Sequence, residues 1–154
     1  MDDLKTICEV IAENKPVSVL VPHAEERETL WCDASTSGGG YILETRGISE
    51  AFQWGESERR LPIHILEAKA LKKGLRRWVK CRESDEAVDV KTDSMLVFHA
   101  VNGKKARGFQ FNQEMLEISD LLREKPYSVE WVPTQEQKAD ELSRVFNGKL
   151  LRES

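Results

Sequence analysis

The chain has 154 residues, 40% of them apolar and 32% charged, with a formal net charge of −4. That is enough to bury one core without covalent staples. It is too acidic for a uniformly basic duplex-coating protein, and no apolar run approaches the roughly 18 residues needed to span a bilayer. Cys8, Cys32 and Cys81 follow no Cys-x-x-Cys spacing, which argues against structural zinc. They read as reduced thiols of an intracellular protein, cytoplasmic or nuclear. The acidic opening Met1-Asp2-Asp3 is not that of a secretory leader.

Residues 3–13 place Leu4, Ile7, Cys8 and Ile11 at helical spacing and stop before Pro16. Val17 to Val21 is strand-like and ends at Pro22, and the charged stretch Glu25 to Glu28 is expected to be exposed. Residues 1–28 thus read as a lead-in or packing arm. A hairpin follows over about residues 29–45, with Leu30 to Ser35 as one arm, Tyr41 to Leu43 in the other and glycines 38–40 between them. Glycines are expected there for their backbone freedom. Ala51 to Trp54 is a third strand after a turn at Gly47, and Glu56 to Arg60 a charged loop.

Pro62 marks the first turn of the longest helix, which runs to about Cys81. Ile63, Leu66, Ala70, Leu71, Gly74, Leu75 and Trp78 form its apolar stripe, and Glu67 falls inside that stripe, aimed at a sheet. Lys69, Lys72, Lys73, Arg76, Arg77 and Lys80 make its other face basic, as a solvated surface or a contact with nucleic acid or a partner domain. Ala87 to Thr92 is the next strand, expected to run parallel to an earlier one because a long helix precedes it. A short helix over 94–101, a loop carrying Lys104, Lys105 and Arg107, and a helix over 109–123 with Phe111, Met115, Ile118 and Leu122 in register complete the middle. Tyr127 to Val132 is the fifth strand, closed by Pro133. Thr134 is placed to cap a final helix with Gln137 three residues on, starting near Gln135 and ending about Phe146, before Gly148. The fold class is α/β: one domain over 29–148 built on a mixed five-stranded sheet with helices on both faces, and a tail over 149–154.

Four acids stand in strand-terminal or apolar settings: Asp33, Glu67, Asp93 and Asp140. Taken singly, each can be a cap, an ion-pair partner or a solvated group. Converging carboxylates repel, and a pair of divalent cations relieves the repulsion. Hard oxygen ligands suit magnesium or manganese. Two ions about 4 Å apart can activate a water and stabilise the leaving oxygen in phosphodiester hydrolysis.

Cys32-Asp33-Ala34-Ser35 with its glycines, Ile65-Leu66-Glu67-Ala68-Lys69-Ala70, Val90-Lys91-Thr92-Asp93-Ser94 and Ala139-Asp140-Glu141-Leu142-Ser143-Arg144 together resemble the ribonuclease H fold. More narrowly, with Trp131-Val132-Pro133, they resemble the ribonuclease H domain attached to reverse transcriptases of retroelements, of the LTR or tyrosine-recombinase type. The resemblance covers about residues 29–146. It implies that Asp33, Glu67, Asp93 and Asp140 are the catalytic, metal-binding carboxylates. It also implies two magnesium ions, with manganese as a substitute, and cleavage of the RNA strand of an RNA–DNA hybrid to leave a 3′ hydroxyl. The hybrid is the expected partner, together with an adjacent reverse transcriptase domain in a parent polyprotein; no membrane is implied. Many relatives carry a catalytic histidine in the loop before the last helix, where this chain has Pro133 to Lys138; His23, His64 and His99 lie elsewhere. Backbone contacts to the hybrid are expected from Ser35, Ser37, Ser94, Asn112, Lys104, Lys105 and Arg107, with main-chain groups near residues 36–38 reading the 2′ hydroxyl. The competing expectations are a non-catalytic interaction module on this fold and a nuclease of the same fold acting on DNA.

Overall fold

The computed structural model describes residues 26–103 and 108–146. The helix and strand expected within residues 1–22, His23, the loop cations Lys104, Lys105 and Arg107, and the tail over 149–154 lie outside the described residues. By contact the chain divides into a unit of residues 28–82 with 88–154 and a smaller unit of residues 1–27 with 83–87. In the smaller one, the Ala87 amide donates to the Glu26 carbonyl and the Glu83 amide to the Glu86 carboxylate.

One five-stranded sheet has the order β3-β2-β1-β4-β5. It comprises β1 (Arg27–Ala34), β2 (Gly38–Leu43), β3 (Ile48–Gln53), β4 (Ala87–Thr92) and β5 (Tyr127–Trp131). The first three strands form an antiparallel meander, whereas β4 and β5 are parallel. The helices are α1 (Ile63–Cys81), α2 (Met95–Val101), α3 (Phe109–Leu122) and α4 (Asp140–Ser143). No helix among the described residues is long and apolar enough to cross a membrane.

Strand alternation separates two faces. Leu30 and Tyr41 meet α1 at Gly74, where an added Cβ would come within 2.8 Å of Leu30. The neighbouring Gly40 points to the other face, and a Cβ there would lie 2.4 Å from that of Leu142 in α4. Helices therefore cover both faces, as expected. The three glycines, however, are not turn residues. They lie inside β2, and none has a positive φ. They are small because a Cβ at Gly38 would come 2.4 Å from the Phe52 carbonyl oxygen and α4 presses on Gly40. The turn itself is Ser35 to Ser37, closed by the Ser35 amide on the Gly38 carbonyl at 2.7 Å.

The main core lies between the sheet and α1, with Leu30, Tyr41, Leu43, Leu71, Leu75, Trp78, Val88, Val90 and Ile118 almost fully buried. Glu28, expected to be exposed, is instead completely buried. Its carboxylate accepts from the amides of Thr29 and Thr45 and pairs with Arg46 at 2.9 Å. Arg46 also donates to the Cys81 carbonyl, tying the hairpin to the end of α1. A buried charge is tolerated when it is paired and hydrogen-bonded in this way. The helix α1 follows the predicted stripe except at Ile63, which is 46% exposed. Its basic face is divided. Lys69 and Lys72 reach Glu114 of α3 at 2.8 and 2.6 Å, and Lys72 also reaches Glu117, while Lys73, Arg76, Arg77 and Lys80 are exposed.

The C-terminal segment departs most from expectation. Residues Thr134–Glu136 form a single 3-10 turn, the chain then breaks at Gln137, and α4 is only four residues long. Thr134 is no cap; its hydroxyl turns to Asp93. The Gln137 side chain spans the break, donating to the Lys91 carbonyl and accepting from the Ala139 amide. A continuous helix from residue 135 is thus replaced by a bridged turn, because these side chains bond across to β4 instead of back along their own helix.

Candidate active site

Asp33 is the last residue but one of β1, on the face opposite Leu30 and Cys32. Asp93 directly follows β4. Their carboxylates meet, so β1 and β4 end at the same sheet edge and run in the same direction. Glu67, in the second turn of α1, brings a third. One carboxylate oxygen from each of Asp33, Glu67 and Asp93 lies within 4.8 Å of the other two. Three acids so close cannot all ionise without compensation. Burial first, then the charges of Asp33 and Asp93, push the Glu67 carboxyl from its ordinary 4.5 up to about 10, against a main-chain hydrogen bond from Ala34. Burial first, then Asp93, push Asp33 from 3.8 up to about 8, with a smaller rise from Asp140 and a counteracting bond from Ser143. Without a cation, burial and mutual repulsion therefore favour the protonated forms of Asp33 and Glu67.

The surroundings orient these groups. The Ser143 hydroxyl donates to Asp33 Oδ2 at 3.0 Å, and the Ser35 hydroxyl donates to the Ser143 carbonyl at 2.6 Å, fastening the β1–β2 turn to α4. The Thr134 hydroxyl donates to Asp93 Oδ2 at 3.0 Å, and the Trp131 indole to the Asp93 carbonyl at 3.2 Å. The other oxygen, Asp93 Oδ1, is buried and meets no donor other than the carboxyls of the cluster itself. A buried acceptor left without a donor is costly, and a cation placed among the three acids would satisfy it. The donor set is all oxygen, which suits magnesium or manganese. The residues therefore fit a hard divalent cation.

Asp140 stands slightly apart. It affects Asp33 from the start of α4 but lies outside the three-acid cluster, and its Oδ1 accepts from Arg144 Nε at 3.2 Å. The expected contact residues are dispersed. Ser35 and Ser37 are tied into the turn beside Asp33. Ser94 caps α2 by accepting from the Val97 amide, and Asn112 is exposed on α3. His64 packs edge-on against Phe111, with ring centroids 4.9 Å apart. The structure adds Ser143, Thr134, Trp131 and Arg144, whose side chains contact Asp33, Asp93 and Asp140. Only Ser143 and Arg144 carry a sequence signal, since they stand three and four residues after Asp140 and share a helical face with it.

No protein-family model matches the sequence, and no curated protein matches it significantly. Solved structures do resemble the fold. A ribonuclease H1 from the halophilic archaeon Halobacterium salinarum is 20% identical, with a TM-score of 0.66 over 79% of this chain and 98% of that one. The N-terminal ribonuclease H domain of a Mycobacterium tuberculosis protein is 18% identical, with a TM-score of 0.67 over 84% and 99%. The LC11 ribonuclease H1, solved with an RNA/DNA hybrid, is 18% identical, with a TM-score of 0.63 over 80% and 98%. The chain has the ribonuclease H-like fold.

Proposed function

We propose that the chain is a ribonuclease H-type endonuclease that hydrolyses the RNA strand of an RNA–DNA hybrid with divalent cations. The observation that carries this reading is the convergence of one carboxylate oxygen from each of Asp33, Glu67 and Asp93, with burial and mutual repulsion pushing the carboxyls of Asp33 and Glu67 up. Asp33, Glu67 and Asp93 would hold the cation, magnesium or manganese, and Asp140 would close the set from α4. Bound there, a pair of such ions supplies activation of the attacking water and stabilisation of the leaving oxygen.

The protein's own residues set the stage. The Ser143 hydroxyl fixes which Asp33 oxygen faces the cluster, and Thr134 does the same for Asp93, leaving Oδ1 turned inward. The site opens at a sheet edge, which suits a duplex laid across it. A hybrid as substrate is supported by the same fold in LC11 ribonuclease H1, which was solved with one. Asn112 and the loop cations Lys104, Lys105 and Arg107 are proposed backbone contacts, while the hydroxyls of Ser35 and Ser94 are engaged within the fold, leaving their main chain as the nearer contact. The four acidic motifs and Trp131-Val132-Pro133 favour the retroelement reverse transcriptase type, with a polymerase domain as neighbour and residues 1–28 as the arm between them.

The test is cleavage of matched labelled RNA–DNA hybrid, duplex RNA and duplex DNA with magnesium. Hybrid-specific cutting that leaves a 3′ hydroxyl supports the proposal. Cutting of DNA alone, or of nothing, overturns it.

A further inference from the structure

A second surface lies away from the acids. A groove of about 280 Å3 runs between β3 and α1, lined by Tyr41, Glu50, Phe52, Lys73, Arg76, Arg77 and Lys80. At about 100° per residue the four cations stand roughly 80–180° around the helix from Glu67, off the face that carries the acid cluster. All four are exposed, and none forms an ion pair among the described residues. Lys73 rests 5.1 Å from the Phe52 ring centre, and Arg77 lies against the Tyr41 hydroxyl. The only carboxylate in the groove, Glu50, is engaged by that same hydroxyl. Lys69 and Lys72, on the same helix, are paired with acids of α3; these four are paired with none.

The floor of the groove is also incomplete. β3 is an edge strand, and among the described residues nothing pairs with its outer side. The register places Gln53 opposite Gly38, and one step on the Trp54 amide donates to the Ser37 carbonyl at 3.0 Å. Antiparallel pairs alternate between bonded and non-bonded. Ile48, Glu50 and Phe52 therefore bond to β2, and Ser49, Ala51 and Gln53 turn their amides and carbonyls outward. An open edge of this kind accepts another extended backbone.

We propose that this edge and the cationic stripe together dock an extended polypeptide with acidic residues at alternate positions. Such a strand, paired with Ser49, Ala51 and Gln53, presents every second side chain on the face that carries Glu50 and Phe52, toward α1. Alternate residues of a strand are about 6.7 Å apart, and Lys73 to Lys80 extends about 10 Å along the helix. The stripe thus meets two or three carboxylates. A phosphate backbone satisfies the cations but has no amides for the β3 carbonyls, so the edge favours polypeptide over nucleic acid.

The test uses the whole chain and a fluorescent heptapeptide with Glu at every second position between Thr and Val, read by anisotropy at low salt. The controls are a peptide of the same composition with its Glu residues contiguous, and a single-stranded oligodeoxythymidine. The alternating peptide should bind at least about tenfold more tightly than either control. Lys73→Glu and Arg77→Glu should each weaken it by about tenfold or more, with far-ultraviolet circular dichroism unchanged. Methylating the main-chain nitrogens along one edge of the peptide should abolish binding, while methylating the other edge leaves it intact; this arm needs no protein variant. No binding, equal binding of either control, or equal binding of both methylated forms overturns the proposal.

Discussion

Replacing Asp33 by Asn should stabilise the cation-free protein, and the gain should vanish in acid. In the fold the carboxyl keeps its proton up to about pH 8, against an ordinary value of 3.8. Between those values the folded state holds a proton that the unfolded state has released, so stability is lost as pH rises through this window. Each tenfold difference in proton affinity is about 1.4 kcal/mol, which puts the penalty at Asp33 near pH 7 at about 4 kcal/mol. That is an upper limit, because Glu67 competes for relief of the same repulsion. Asn carries no charge, and its carbonyl oxygen can accept the Ser143 hydroxyl that Asp33 Oδ2 now accepts. The expected gain is about 2–4 kcal/mol near pH 7, or on the order of 5–10 °C in melting temperature for a chain of this size. Below about pH 3 the unfolded carboxyl is protonated as well, and the two proteins should melt together. Scanning calorimetry in chelator across this pH range gives the answer. A gain of equal size in acid and at neutrality would refute the argument, as would destabilisation at neutrality.

Asp93→Asn and Glu67→Gln should each abolish hybrid cleavage, and magnesium should raise the melting temperature of the Glu67→Gln protein less than that of the parent; equal thermal shifts would exclude Glu67 as a ligand. His23, His64 and His99 replaced singly should leave the single-turnover rate on a hybrid within a few-fold, and a loss of about a hundredfold in one of them, with folding and binding unchanged, would identify a catalytic base. Gly40→Ala puts a Cβ 2.4 Å from that of Leu142 and should cost about 1–3 kcal/mol in chemical denaturation. It should also slow cleavage by displacing α4, whereas unaltered stability and rate would mean that α4 yields freely.

The strands, α1 and the three clustered acids were legible in the sequence because each depends on periodicity or on a charge in an apolar run, both of which are local. The apolar stripe of α1 located Glu67 through helical spacing alone, and the structure puts that residue beside Asp33 and Asp93. Glycines 38–40 misled because a glycine can mark backbone freedom or close approach, and only the packed neighbours, Phe52 and Leu142, distinguish them. Glu28 misled similarly. Its burial depends on Arg46, eighteen residues on, and on the Thr45 amide.

The last segment shows where the limit lies. The residues Thr134 and Gln137 fit a capping box, but both side chains are spent at the end of β4, one on Asp93 just after it and one on the Lys91 carbonyl. What holds Asp140 in place is therefore not helix propensity, since α4 has only four residues. It is a chain of side-chain bonds from Ser35 to the Ser143 carbonyl, from Ser143 to Asp33, and from Arg144 to Asp140. A helix this short has little stability of its own, and the Ser143 hydroxyl that contacts Asp33 also lies 2.8 Å from the Asp140 carbonyl. Asp140 also meets Asp33 directly, raising its carboxyl through a side-chain hydrogen bond, while it lies outside the tight cluster of three.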